Sequence, residues 1–369
     1  MSSTPASPLP FGPLPFGSTI GMIGGGQLAR MMGAAAARLG YRMLVLDPDS
    51  ACPAGQTANA LITARYDDVA ALRELAERSD VVTYEFENVP VEPLRTIEGI
   101  VPVHPPAQAL EVAQDRVVEK AFLNGIGIRT AEWRAVDDPQ ELDHALLELG
   151  GDGILKTRRL GYDGKGQAVL RQGSPHGDAF ASLGAVPSIL EKKVAFASEI
   201  SVIAARGADG SVRAFDPAEN VHSLGILKRS TVPASVPPAL AEEAMRIAAT
   251  ILERLGYVGV LGVEFFVTKT GELLVNEIAP RVHNSGHWTE AACLVSQFEQ
   301  HIRAVVGLPL GDPARHADCT MENLIGSDVE RAAALAGEPA TMLTLYGKLE
   351  ARPGRKMGHF TRLRPRPVG

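Results

Sequence analysis

Val258-Gly-Val-Leu-Gly-Val-Glu264-Phe-Phe-Val267, then Thr268-Lys-Thr-Gly271-Glu272, then Leu273-Leu-Val-Asn276-Glu277-Ile-Ala-Pro-Arg281-Val-His283-Asn284-Ser-Gly-His287-Trp-Thr289 is the stretch that decides how this chain folds. Two apolar runs flank a polar turn with a glycine near its tip, which is the pattern of a β-hairpin. Each run carries one carboxylate among residues that must be buried. With Thr270-Gly271 as a two-residue loop, Glu264 and Glu277 face each other across the ladder, their Cβ atoms about 5 Å apart, where like charges repel. A divalent cation held by both removes that conflict, and hard Mg²⁺ takes a few carboxylate oxygens together with substrate phosphates. Two other arrangements stay open: one glutamate faces solvent, or a one-residue bulge separates the pair.

The 369 residues are enough for two or three domains, since a single core stops growing near ~250 to 300 residues. A formal net charge of −7 argues against a general nucleic-acid surface. The three cysteines, Cys52, Cys293 and Cys319, are far apart and odd in number, as expected of reduced thiols in a cytosolic protein. No apolar run is long enough to span a bilayer, and a secretory signal is not expected. Residues 1–17, rich in Pro, Ser and Gly, are expected to form a disordered tail.

Residues 18–106 read as a Rossmann-like domain. Thr19 to Ile23 is a strand, Gly24-Gly25-Gly26-Gln27-Leu28 a glycine loop, the alanine-rich run to Gly40 a helix, and Arg42 to Asp47 a second strand. Gly24, Gly26 and Ala29 fit a dinucleotide fingerprint, and Asp47 stands about where a ribose-binding acid would be. Taken alone, that pattern favours NAD. Val81 to Tyr84 is a further strand ending at Glu85. Open α/β sheets bind ligands at such strand ends, so Glu85 is either a site residue or a helix-capping or merely exposed acid.

The proline-rich junction at 102–106 opens a second domain, 107–310, with a lid subdomain at about 125–195. Its expected helices cover 107–123, 140–149, 239–255 and roughly 288–306. Ile154-Leu155-Lys156 is a strand bearing a lysine. The following Gly161-Tyr162-Asp163-Gly164-Lys165-Gly166-Gln167 is either a loop whose N–H groups close over phosphates or a glycine-rich hairpin without a ligand. His222 is expected between strands. Residues 311–369 read as a small, mainly β domain in which Lys348, Arg355 and Lys356 gather positive charge, as a phosphate site or as an exposed basic turn.

Taken together, the lysine strand, the Gly-Tyr-Asp-Gly-Lys-Gly-Gln loop, Glu191-Lys192-Lys193-Val194, the run Asn276 to Thr289 and Arg352-Pro-Gly-Arg-Lys-Met-Gly-His359 resemble the ATP-grasp superfamily. Within it they are similar to the ATP-dependent carboxylases of 5-aminoimidazole ribonucleotide. The resemblance implies an α/β chain: an ATP-grasp fold between a Rossmann-like parallel-sheet domain and a C-terminal β domain. It implies ATP held by Arg116, Lys156, Gly161 to Gln167, Asn276 and Glu277, with the backbone of Glu191 to Val194 on adenine, Glu199 on the ribose and His222 lining the pocket. Mg²⁺, or Mn²⁺, would sit on Glu264 and Glu277. The ribonucleotide would be met by Gln27, Leu28, Glu85 and Asn284, with Lys348, Arg355 and Lys356 on its phosphate. Arg281 and His283 would hold bicarbonate and carboxyphosphate, with Tyr162, Asp163 and Lys165 reaching the same intermediate. A cytoplasmic homodimer, binding neither nucleic acid nor membrane, is implied as well. An NAD-dependent oxidoreductase explains residues 20–47 but leaves the glutamate hairpin without a purpose. A different ATP-grasp ligase would share the ATP machinery and differ at the substrate, and a non-catalytic nucleotide-binding module would tolerate loss of the metal carboxylates, both of which are present.

Overall fold

The computed structural model describes residues 12–161, 164–173 and 178–366; Tyr162 and Asp163 of the glycine loop lie outside them, as do residues 1–11 of the N-terminal segment. Of the segment expected to be a tail, Leu14 is half-buried and tethered by hydrogen bonds, while Pro15, Phe16 and Gly17 are exposed. The Leu14 N–H donates to the Val306 carbonyl at 2.8 Å, the Tyr41 hydroxyl donates to the Leu14 carbonyl, and Phe16 lies against the Tyr41 ring.

Strands β1 (Thr19–Ile23), β2 (Arg42–Asp47), β3 (Ala60–Thr63) and β4 (Val81–Tyr84) form a parallel sheet in the order β3-β2-β1-β4. The chain order reverses between β1 and β4, so the crevice beyond their carboxyl ends is where such a sheet holds a ligand. The glycine loop and Glu85 both sit there, and helix α1 (Gln27–Arg38) starts from it, burying Leu28, Ala29, Met31, Met32 and Ala36. Gly24 has φ +98° and leaves no room for a side chain: a Cβ would lie 2.6 Å from Glu85 Cγ.

The next four strands, β5 (Trp133–Val136), β6 (Gly153–Thr157), β7 (Gln167–Leu170) and β8 (Ser188–Lys192), make an antiparallel sheet ordered β5-β8-β6-β7 with its own small core of Val136, Leu142, Leu146, Leu155 and Leu190. The glycine loop is the connection of the β6–β7 hairpin, in which Lys156 pairs with Gln167.

The largest sheet contains β9 (Phe196–Arg206), β10 (Val212–Ala214), β11 (Ala218–Ser223), β12 (Ile226–Val232), β13 (Gly259–Thr268) and β14 (Leu273–Ala279). It does not stop where a third domain was expected. Through the β12–β15 pairing it runs on into β15 (Asp318–Ile325), β17 (Lys356–Arg364) and β16 (Thr341–Leu345). His222 is on β11, not between strands.

The deciding hairpin reaches the expected pairing by an unexpected route. Val267 pairs with Leu273, Phe266 with Leu274 and Phe265 with Val275, so the loop is one residue longer than the two-residue turn and includes Gly271 at φ +80°. Asn276 is then bulged out, and the register shift returns Glu264 to a position opposite Glu277. The loop and the bulge cancel. From Val263 onward β13 alternates: Val263, Phe265 and Val267 are buried in the core, while Glu264 and Phe266 turn to the other face.

Two helices expected to be continuous are interrupted. Residues 107–123 divide into Ala107–Ala113 and Arg116–Gly125 because Asp115 caps the second piece, accepting from the Val117 and Val118 N–H groups. The run 288–306 divides into the short helix Thr289–Ala292 and the helix Gln297–Val305, which Ser296 caps through the Glu299 N–H, and a turn of 3₁₀ helix at Asn284–Gly286 precedes the run.

Candidate active site

A cleft of about 570 Å³ opens where the three sheets meet. Its lining contains most of the residues singled out in the sequence: Gln27, Leu28, Glu85, Arg116, Lys156, Gly161, Gly164, Lys165, Gln167, Glu199, His222, Glu264, Asn276, Glu277, Arg281, His283, Asn284 and Lys356. Lys348 and Arg355 line an adjoining pocket of about 470 Å³ that shares Gln27, Lys165 and Lys356 with the cleft. Gly166, Glu191, Lys192, Lys193 and Val194 are not in the lining. The Lys192 N–H donates to the Glu132 carbonyl and the Lys193 N–H to that of Asp152. Phe196 and Phe266, stacked 4.9 Å apart, form an apolar wall of the cleft that sequence reasoning did not single out.

Glu264 and Glu277 are the electrostatic centre. Burial, and then the charge of Glu277, push the Glu264 carboxyl up to about 7. Burial acts on Glu277 too, but Arg116, bonded to it at 3.1 Å, and Lys156 hold its carboxyl below the ordinary range. Asn276 Oδ1 is buried beside them with no protein partner. Among the described residues no cluster of three or more His, Cys, Asp or Glu is arranged for a metal. Two carboxylates with an amide oxygen alongside fit a hard cation that draws its other ligands from phosphate and water.

Around this pair the positive groups are fixed by counter-charges. Lys156 donates to Glu191 at 2.9 Å, and Lys120, fully buried, stands 3.9 Å from the other oxygen of Glu191 while donating to the Asn276 carbonyl. Burial alone would raise the Glu191 carboxyl; Lys156 and Lys120 outweigh it and hold the group at about 2. Arg281 donates to Glu87 at 2.5 Å and holds that carboxyl at about 2 against its burial. Lys120, Glu119 and Glu87 were not identified from the sequence. A signal existed for the first two: Arg116, Glu119 and Lys120 recur at i, i+3 and i+4 on one helix face, and that face is buried.

His283 continues the hairpin beside Glu264, its Nε2 3.5 Å from the carboxylate. Its Nδ1 is met by the Ser285 hydroxyl at 2.9 Å, and Ser285 is linked through Ser201 and Asn220 to Ser230, a buried chain crossing β9, β11 and β12. Burial and Arg281 hold this imidazole at about 3, so it is neutral. Glu199 pairs with His222 at 2.6 Å, which raises the histidine despite its burial.

At the other end of the cleft, Glu85 is placed both to cap a helix and to face the cleft. It accepts from the Gly26 and Ala29 N–H groups, capping α1 from outside, and it lines the cleft. Asp47, the expected ribose acid, is spent on the Gly25 N–H at 2.6 Å, the Tyr66 hydroxyl at 2.6 Å and the Asp49 N–H at 2.8 Å. It is buried, and Cys52 Sγ packs against Gly25 where a pyrophosphate would approach. The dinucleotide fingerprint is therefore closed. Both amide atoms of Asn284 are buried without a protein partner in the cleft wall. Lys348 donates to the Lys356 carbonyl at 2.7 Å and Arg355 to that of Glu350 at 3.1 Å, and both line the adjoining pocket.

A lid sheet and a core sheet closing on a lysine- and glutamate-lined cleft define an ATP-grasp ligase. The ATP-grasp domain family matches residues 121–298, the ribonucleotide synthetase preATP-grasp domain residues 18–114, and the phosphoribosylaminoimidazole carboxylase C-terminal domain residues 319–367. The chain belongs to the N5-carboxyaminoimidazole ribonucleotide synthase family. It is 59% identical over 354 residues to the synthase of Brucella melitensis, covering 95% of this chain and 98% of that protein, and 44% identical to that of Bacillus subtilis, covering 94% and 91%. Among solved structures, the Staphylococcus aureus synthetase complexed with ADP is similar with a TM-score of 0.92, 37% identity and coverage of 96% and 95%. The Aspergillus clavatus synthase in complex with ADP and 5-aminoimidazole ribonucleotide has a TM-score of 0.88, 32% identity and coverage of 95% and 94%.

Proposed function

We propose that the cleft carboxylates the exocyclic amine of 5-aminoimidazole ribonucleotide with bicarbonate at the expense of ATP, a step of purine biosynthesis. The observation that carries this reading is the opposed pair Glu264 and Glu277, with Arg281 and His283 continuing the same hairpin toward the start of α1. Adenine would lie against Phe196 and Phe266, Glu199 would meet the ribose hydroxyls, and Lys156, Arg116 and the glycine loop, Gly161 to Gln167, would meet the phosphates. Mg²⁺ or Mn²⁺ on Glu264 and Glu277, with Asn276 beside them, would neutralise phosphate charge.

A bicarbonate oxygen attacks the γ-phosphorus and the bond to the ADP oxygen breaks, giving carboxyphosphate. The amine nitrogen then bonds to the carboxyl carbon, phosphate leaves, and the amine proton is lost to it or to solvent. Phosphoryl transfer needs positioning and charge neutralisation more than covalent help. Arg281, fixed by Glu87, is suited to the carboxylate of bicarbonate; neutral His283 can donate Nε2–H without adding charge. Tyr162, Asp163 and Lys165 belong to the segment that would exclude water from the labile intermediate. Gln27, Leu28, Glu85 and Asn284 would hold the ribonucleotide, with Lys348, Arg355 and Lys356 on its phosphate.

The chain is expected to act as a cytoplasmic homodimer, with no role for nucleic acid or membrane. Cys52, Cys293 and Cys319 are free thiols, and among the described residues no helix is long and apolar enough to cross a membrane. The test is ADP release measured with and without bicarbonate and 5-aminoimidazole ribonucleotide: productive turnover should require both, together with Mg²⁺. Equal ADP release with formate in place of bicarbonate sinks the carboxylase reading.

A further inference from the structure

His287 is 1% exposed yet lines the ribonucleotide end of the cleft with Gln27, Asn284, Tyr346 and Lys356. Its ring plane is fixed by three neighbours: His359 at 4.7 Å between centroids, Phe298 at 5.4 Å and Tyr346 edge-on at 6.2 Å. Its proton is fixed by a fourth. Gln297, fully buried, has Oε1 accepting from the His283 N–H at 2.9 Å, so its other terminal atom is the amide nitrogen. That nitrogen donates one hydrogen to the His283 carbonyl at 2.8 Å and directs the other at His287 Nδ1, 3.0 Å away. Both backbone partners have unambiguous roles, so the amide cannot be turned over, and Nδ1 of His287 must accept. The neutral ring then carries its proton on Nε2. Protonating Nδ1 would set two donors against each other. Burial and then His359 also hold this imidazole well below its ordinary range.

We propose that His287 is a specificity residue that donates its Nε2–H to an acceptor atom of the ribonucleotide, and that Gln297 is the positioning residue that sets its tautomer while clamping the backbone of His283. The proposal rests on the substrate reading given above and adds the residue and the direction of the hydrogen bond. The local sequence fits the clamp. Gly286 must lack a side chain, because a Cβ would lie 2.7 Å from Gln297 Oε1, and the Thr289 hydroxyl accepts from the Gln297 N–H while donating to the Gly286 carbonyl.

The test uses the full-length protein. H287F keeps a ring in the aromatic clamp but has no N–H. A lost neutral hydrogen bond should raise KM for 5-aminoimidazole ribonucleotide roughly 3- to 10-fold and leave KM for ATP unchanged. H287Q, whose amide nitrogen reaches about where Nε2 was, should recover to within about twofold of the parent. In protein with ¹⁵N-labelled histidine, long-range ¹H–¹⁵N spectra should show the signal lost in H287Q to be a neutral ring protonated on Nε2. In Q297E the carboxylate accepts from Nδ1–H, so the proton should move to Nδ1 and the ribonucleotide KM should rise although His287 is intact. An unchanged ribonucleotide KM in H287F, or an equal rise in both KM values, overturns the substrate contact; an Nδ1–H spectrum in the parent overturns the role of Gln297. If the parent shows no ribonucleotide-dependent ADP release, the reading of the cleft itself has failed, and the spectrum, which needs no substrate, still decides the role of Gln297.

Discussion

Glu264 illustrates how far a single residue's chemistry was legible. A glutamate amid Val-Leu-Gly-Val and Phe-Phe has no apolar reason to be there, and its carboxyl, pushed to about 7 by burial and by Glu277, has among the described residues no counter-charge comparable to the one Arg116 gives Glu277. E264Q and E277Q nearly preserve shape and remove the charge that a cation needs. Each should lower turnover at least about 100-fold while leaving the circular dichroism spectrum and melting midpoint close to those of the parent. Near-normal activity of either variant at limiting Mg²⁺ would show that its carboxylate is not a metal ligand. The basic residues of the C-terminal segment allow a complementary test. If Lys348 and Arg355 grip the substrate phosphate, each charge-assisted bond is worth roughly 1.5 to 3 kcal/mol, so K348A and R355A should each raise KM for the ribonucleotide about 10- to 150-fold with little effect on ATP. Steady-state kinetics with each substrate varied in turn decide this; unchanged ribonucleotide constants would mean that the cluster is only a basic surface. Residues whose role depends on a distant partner were harder to read. Glu87 gains its meaning from Arg281, 194 positions later, and Gln297 from two histidines that precede it.

Individual elements were legible where periodicity alone defines them and illegible where a cap or a bulge does. The hairpin shows both. Its strands follow from alternation, yet the longer loop and the Asn276 bulge are a matched pair of one-residue irregularities, and no local signal distinguishes them from a two-residue turn without a bulge. The breaks at Asp115 and Ser296 were written in the sequence as capping residues, but each lies inside a longer run of helix formers. One inter-element connection makes a strong prediction. Lys156 on β6, Glu191 on β8 and Lys120 on the helix Arg116–Gly125 form a buried triad that ties the lid sheet to the hairpin through the Asn276 carbonyl. E191Q would leave two buried ammonium groups without their shared counter-charge, at a cost of roughly 3–5 kcal/mol at neutral pH. The pH dependence has a definite sign. Since the native carboxyl is depressed to about 2, its contribution is present above the ordinary value near 4.5 and is lost as pH falls from there toward 2. Urea unfolding of the parent and of E191Q should therefore converge over that window; a gap between them that stays constant from pH 5 to pH 3 would mean that Glu191 is not the group responsible.

At the scale of the whole molecule, the chain that reads as three successive domains is bound together by features that composition does not reveal. The β12–β15 ladder makes the last strands part of the central sheet, and one core cluster joins Ile20 and Met32 of the N-terminal domain to Phe298 and Ile302 of the helix Gln297–Val305 and to Cys319, Met321 and Tyr346 near the C-terminus. The lid sheet is the exception, with a separate core around Leu142, Leu155 and Leu190. A ladder shared between segments and a common core make unfolding of either segment expose the other, whereas a sheet with its own core can open alone. Hydrogen exchange on the full-length protein should thus give β1, β9, β13 and β15 similar protection at the level of global unfolding, with β5 to β8 exchanging through a less costly opening. Nucleotide with Mg²⁺ should raise protection selectively in the lid and in the turn Leu224-Gly225, because Gly164 packs so closely on that turn that a Cβ there would lie 3.1 Å from Gly225 Cα. The same argument forbids a stable chain ending at residue 311: β12 would become an open edge, and such an edge pairs with other chains. That truncation should aggregate, or elute as an oligomer on size exclusion, even when ATP is present. If β15 to β17 instead exchange well before β9 and β13, and the truncated chain is monomeric and binds nucleotide, the C-terminal strands fold as an independent unit and the continuity of the sheet has no energetic consequence.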